Sequence, residues 1–188
     1  ILLGLALPVT PVQILWVNMV TAVTLSMALA FERAEPAIMQ RPPRNPNDFI
    51  LDAFMLWRIG FVSILLTAGA LGLYYWQLAT GASVEICRTT AVNALVVGEM
   101  FYLFNCRYML APVLKWRDFT GNPYVLLTIA LLLFLQMLFT YSSYMQQLFS
   151  TAGIDLTVWM RILLFGLMLF LIVEIEKYLL CHFRIAKC

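Results

Sequence analysis

Asn18, Thr21 and Glu99 are polar side chains set in apolar surroundings. Asn18 and Thr21 occur in WVNMVTAVT, part of an apolar run from about Ile14 to Phe31. Glu99 occurs in ALVVGEMFYLF. Asn and Thr oxygens suit hard cations. The same side chains also serve as hydrogen-bonded glue between helices. Asn18 and Thr21 are three positions apart, and Ala22 is four from Asn18, so a helix predicts one shared face for all three. Ion path and glue both remain open for this face. A carboxylate deep in apolar surroundings is costly and marks an ion or proton role by default. Glu99 is a candidate cation ligand, proton carrier or partner of a buried cation, but the sequence offers no obvious buried Lys or Arg for it.

The other polar positions carry structural expectations. Glu174 and Lys177 in VEIEKY are three apart, which predicts a pair near a helix end, with Glu176 beside them. Gln136 stands alone in its apolar segment, and interhelical glue is expected of it. Arg161 is expected to snorkel toward a membrane surface. The four cysteines, Cys87, Cys106, Cys181 and Cys188, have no metal-type or redox-type spacing and are expected to be free thiols at membrane edges. His182 has no partner motif and reads as interfacial.

Long apolar elements must position these groups. Hydrophobic residues make up 63% of the 188 and charged residues 12%, and the mean hydropathy is +0.88. Soluble domains carry roughly 25% charged residues. The composition predicts an all-α, polytopic membrane bundle of five transmembrane helices, at about 12–31, 53–77, 87–106, 123–142 and 156–180. The third is the weakest because of Asn93 and Glu99. Pro11 and Pro123 fall where helices start, and the turn-like GID precedes the last span. Ala68 and Gly72, with Gly69 beside them, form a small-residue face that lets another helix approach closely.

Charge is uneven between the connections. Loop 32–52 carries Arg33, Arg41 and Arg44, loop 107–122 carries Arg107, Lys115 and Arg117, and the tail carries Arg184 and Lys187. The positive-inside rule places both loops and the tail in the cytoplasm, with the N-terminus outside and the C-terminus inside. Trp57, Trp76, Trp116 and Trp159 fall at predicted interfaces. The segment RPPRNPN is rigid and basic, and reads equally as a docking element or a solvated connector. The net charge of +2 gives no signal for nucleic acid, and no nucleic-acid partner is expected. The chain opens on Ile1, and ILLGLALP lacks the basic flank of a signal peptide. It reads as part of something longer.

PVQILWVNMVT, followed by ALAFE and AEPAIMQRPPR, resembles the sixth transmembrane helix and following cytoplasmic loop of calcium-pump-like, cation-transporting P-type ATPases. ALVVGEMFYLFNCR is similar to the eighth helix and DLTVWMRILLFGLMLFLIVEIEKYL to the tenth. The resemblance covers nearly the whole chain and implies the last five helices of a ten-helix domain. It also implies that Asn18 and Thr21 match two positions of an Asn-x-x-Thr-Asp ligand pattern, with Ala22 where the family has Asp. Val23 stands where a glycine is often found. Glu99 matches a carboxylate of the eighth helix that contributes to a calcium site. The metal-site expectation is therefore Asn18, Thr21 and Glu99. Divalent binding is expected to be weakened by Ala22, and the transported ion is left open among a monovalent ion, a proton and a remodelled single site.

The resemblance further implies ATP chemistry that these 188 residues do not contain: the DKTGT aspartate, the nucleotide-binding and actuator domains, and the fourth helix with its Glu. No catalytic residue and no cofactor site are expected in the chain, with Mg-ATP expected for an intact pump. The expected partners are helices one to five with the cytoplasmic domains, and the lipid bilayer. Loop 32–52 is expected to couple ion occupancy to phosphorylation, in a plasma or bacterial inner membrane. Two other classes compete: a stand-alone, non-enzymatic helical bundle derived from a pump, and a small channel or proton carrier using Glu99.

Overall fold

The computed structural model describes residues 7–31, 53–106 and 123–182. Loops 32–52 and 107–122, Trp116, the 183–188 tail and the side chains of Cys181 and His182 lie outside the described residues. Among the described residues there are six helices: α1 (Pro11–Ala30), α2 (Ala53–Ala79), α3 (Val84–Cys106), α4 (Pro123–Tyr141), α5 (Ser143–Phe149) and α6 (Leu156–His182). Helices α1, α2, α4 and α6 are long and apolar enough to cross a membrane by length and composition. Helix α3 is not among them. It has 23 residues but carries Glu85, Arg88, Asn93 and Glu99.

That polarity explains its place. Helix α3 packs against α1, α2, α4 and α6, and the stretch from Thr89 to Asn105 is buried at most positions. The apolar helices stand between it and lipid, so its polar groups need not face hydrocarbon. The helices alternate in direction. Arg58 near the start of α2 meets Glu176 near the end of α6, while Gln77 near the end of α2 meets Arg161 near the start of α6. Val9 just before α1 packs near Cys87 and Ala28 near its end packs with Leu103, so α1 runs parallel to α3, while Thr140 at the end of α4 bonds Asn93 in the first half of α3.

Local sequence sets the helix borders. Thr10 caps α1 in a reciprocal box: the Gln13 amide N–H donates to its hydroxyl at 3.3 Å, and the Thr10 N–H donates to Gln13 Oε1 at 3.0 Å. Pro11 takes the first helical position, where no N–H is needed. Gln13 Nε2 then donates to the Phe149 carbonyl at 2.9 Å, tying the start of α1 to the end of α5. Above this tie, Trp16 stacks on Phe139, with ring centroids 5.5 Å apart, and Phe149 closes the trio at 5.2 Å from Trp16.

Glycines let three helices close on one another. A Cβ on Gly69 of α2 would overlap the Phe165 ring of α6. On Gly98 of α3 it would lie 2.6 Å from Leu66 Cδ2, and on Gly166 of α6 2.5 Å from Phe101 Cδ2. Of Ala68, Gly69 and Gly72, Gly69 is therefore the one that packs within the chain. Ala68 and Gly72 face outward, and a Cβ on Gly72 meets nothing.

Two sequence expectations change. The connection at 143–155 holds the seven-residue α5. Trp159 is buried and donates from Nε1 to the Tyr141 hydroxyl at 2.8 Å, whereas Trp57 and Trp76 are exposed as interfacial rings should be. Cys87, near the start of α3, and Cys106, at its end, are free thiols, and Cys87 is completely buried.

Candidate functional site: a carboxylate inside the bundle

Glu99 lies 15 residues beyond Val84, about 22 Å along α3. Thr21 lies ten residues into α1, at about 15 Å. Parallel packing of the two helices brings the Thr21 hydroxyl against the Glu99 carboxylate. Thr21 is buried and donates its proton to the Val17 carbonyl of its own helix at 2.8 Å. A threonine hydroxyl has one proton. The Val17 carbonyl and the Glu99 carboxylate thus share one hydroxyl proton, which can serve only one of them at a time. Glu99 Oε2 is buried and has no hydrogen-bond partner.

A carboxylate oxygen shut from water, with no donor, needs a compensating positive charge or a bound proton. The nearby cations do not supply it. Lys177 bonds Glu174 Oε1 at 2.9 Å and the Asn105 carbonyl at 2.9 Å. Arg58 pairs with Glu176 at 2.8 Å. Thr21 and Glu99 therefore bring two oxygen-bearing side chains together inside the bundle.

Asn18 stands apart from this pair. It is exposed, as is Ala22 one turn on, whereas Thr21 is buried. The structure thus brings together two of the three expected site residues and turns the third to the outer face of α1. A three-residue step rotates a helix by about 300°, so neighbours on a helical wheel separate wherever a packing boundary falls between them.

Two further polar groups occupy the bundle. At one level Asn93 is a hub. Its Nδ2 donates to the Thr89 carbonyl at 2.8 Å and to Thr140 Oγ1 at 3.1 Å, and its Oδ1 accepts from Gln136 Nε2 at 3.0 Å. Gln136 is thus interhelical glue, as its isolation in α4 suggests. Near the far end of α3, α2 and α6 contribute Arg58, Glu174, Glu176 and Lys177, two cations against two anions, in a largely buried cluster. Trp57 Nε1 adds a bond to Glu176 Oε1 at 3.2 Å. The Glu174–Lys177 pair follows from spacing. The Arg58–Glu176 pair and the Asn93 hub do not, because each joins helices distant in sequence. Their one-dimensional signal is a polar residue in an otherwise apolar run.

A polar helix enclosed by apolar ones, with a carboxylate of which one buried oxygen lacks a hydrogen-bond partner, defines an integral membrane protein with a polar interior. Residues 6–179 match the family described as Cation transporting ATPase, C-terminus, and the chain belongs to that family, the C-terminal membrane region of P-type ATPases. It is 43% identical over 163 residues to "Probable cation-transporting ATPase F" of Mycobacterium tuberculosis, covering 86% of this chain and 18% of the relative. It is 35% identical over 164 residues to "Cation-transporting ATPase pma1" of Synechocystis, covering 85% and 18%. It is 28% identical over 169 residues to "Calcium-transporting ATPase" of Bacillus subtilis, covering 86% and 18%. The chain thus spans under a fifth of the length of these relatives.

Proposed function

We propose that the chain forms part of the ion path of an ATP-driven cation transporter and performs no ATP chemistry itself. Glu99 and Thr21 make one wall of a cation site. Asn18 faces the side of α1 that the described residues leave open, where helices from the rest of the transporter would complete the site. Mg-ATP acts in the remainder of such a protein, and loop 32–52 links ion occupancy to it. The orientation follows the basic segments: loops 32–52 and 107–122 and the tail are cytoplasmic, in a plasma or bacterial inner membrane.

The observation that carries this reading is the Glu99 carboxylate, whose Oε2 is buried without a hydrogen-bond partner while the group has a single threonine hydroxyl beside it. A purely structural bundle gains nothing from such a group, since a partnerless buried polar atom costs about 1–3 kcal/mol. The calcium named for some relatives is one candidate ion. Ala22 in place of the family carboxylate disfavours a site built for two divalent ions and favours a single site or a monovalent ion.

The test is cation-stimulated ATP hydrolysis by the intact ATPase proposed to carry this chain. Glu99→Gln should raise the cation concentration for half-maximal stimulation by about tenfold or more, while Glu99→Asp keeps measurable stimulation. An unchanged cation dependence in Glu99→Gln would remove Glu99 from the path.

A further inference from the structure

At the end of the bundle opposite the Arg58–Glu176 pair, a cleft of about 350 Å³ opens between the α2–α3 turn and the start of α6. Its polar lining includes Gln77, Thr80, Asp155, Thr157 and Arg161. Arg161 lies five residues into α6, about 7.5 Å along the helix. Its guanidinium gives one N–H to Gln77 Oε1 at 3.3 Å and sits over the Trp76 ring, 4.9 Å from the centroid. Neither contact neutralises its charge. Among the described residues Arg161 has no ion pair, and Asp155 lines the same cleft without pairing to it. Exposed Tyr75, Trp76 and Tyr144 lie at this end of the bundle, as aromatic residues do at the headgroup level of a bilayer.

Snorkelling accounts for an arginine near a helix end, but not for a polar cleft that holds a cation and an anion unpaired with each other. Both retain hydrogen-bonding capacity at the depth of lipid headgroups. We propose that this cleft binds the headgroup of a zwitterionic phospholipid carrying a primary amine. The phosphodiester accepts from Arg161, whose planar fork suits two phosphate oxygens. The ammonium donates to Asp155. A primary ammonium offers N–H donors to a carboxylate. A trimethylammonium offers none and is held instead by a cage of aromatic faces, and here Arg161 already occupies one face of the Trp76 ring. Phosphatidylethanolamine therefore fits better than phosphatidylcholine.

The test is native mass spectrometry of the full chain in detergent, titrated with phosphatidylethanolamine, phosphatidylcholine and phosphatidylglycerol of matched acyl chains. Inorganic phosphate serves as a soluble competitor. Phosphatidylethanolamine should be retained preferentially and should resist millimolar phosphate. Arg161→Gln should weaken its retention by about tenfold, the scale of a lost charged hydrogen bond. Asp155 is exposed, so Asp155→Asn leaves the packing intact. It should erase the preference for ethanolamine over choline while phospholipid is still retained. Three results would overturn the proposal: equal retention of ethanolamine and choline lipids by the unaltered chain, displacement by inorganic phosphate, or an unchanged preference in Asp155→Asn.

Discussion

Thr21 gives its proton to Val17, and Glu99 Oε2 receives none. The proposed cation path rests on this pair. Ala22 lies one turn from Asn18 on the exposed side of α1, so a carboxylate placed there would add charge beside Asn18 without disturbing the core. Ala22→Asp in the intact ATPase should tighten binding of a divalent cation by about tenfold and affect a monovalent one less. Titration calorimetry with calcium and sodium reads the difference, and equal changes for both ions would place position 22 outside the path. At this scale the sequence was informative about depth and poor about facing. Glu99 was legible because its helix position alone puts it within the bundle. The separation of Asn18 from Thr21 was not, because it depends on where α3 touches α1.

Helices α2, α3 and α6 close on one another where glycine removes a side chain. Gly69→Ala puts a methyl group into the Phe165 ring, and Gly166→Ala presses on Phe101 and Val97. Overpacking of this kind costs about 1–3 kcal/mol. Both variants should lower the thermal midpoint of the protein in detergent. Gly72→Ala, which meets nothing, should leave the midpoint unchanged or raise it through helix propensity, by up to about 1 kcal/mol. Equal midpoints for Gly69→Ala and Gly72→Ala would contradict this packing. The small-residue signal in α2 was visible in the sequence, but which glycine it served was not. Periodicity gives a face, and only the partner helix gives the contact. Helix α5 escaped for another reason: SYMQQLF spans seven residues, too few for a helical period to stand out from a loop.

Across the whole molecule, alternating helices sort the polar groups by level. The charged cluster of Arg58, Glu174, Glu176 and Lys177 lies toward one end, Glu99 and Thr21 lie within the bundle, and the Asn93 network and the Arg161 cleft lie toward the other end. The ends of α1 and α3, from which the basic loops continue, share the end of the charged cluster. The charge asymmetry therefore predicts that Thr80 and Ser150, both exposed at the opposite end, face outward from the cell. In intact cells, Thr80→Cys and Ser150→Cys should react with a membrane-impermeant maleimide. Reaction only after permeabilisation would reverse the orientation. The helical class was legible from composition and apolar run length alone. The central place of α3 was not, because its polarity makes it look like the weakest span when it is the one the others enclose.

The central claim is that Glu99 holds a cation, and direct binding tests it without reliance on turnover. Calcium, manganese, sodium and potassium would be titrated calorimetrically into the intact ATPase proposed to carry this chain, with and without Glu99→Gln. Saturable binding of one cation, weakened about tenfold or more in Glu99→Gln, is the predicted result. Identical isotherms for the two proteins would contradict it and leave Glu99 without a role in the ion path.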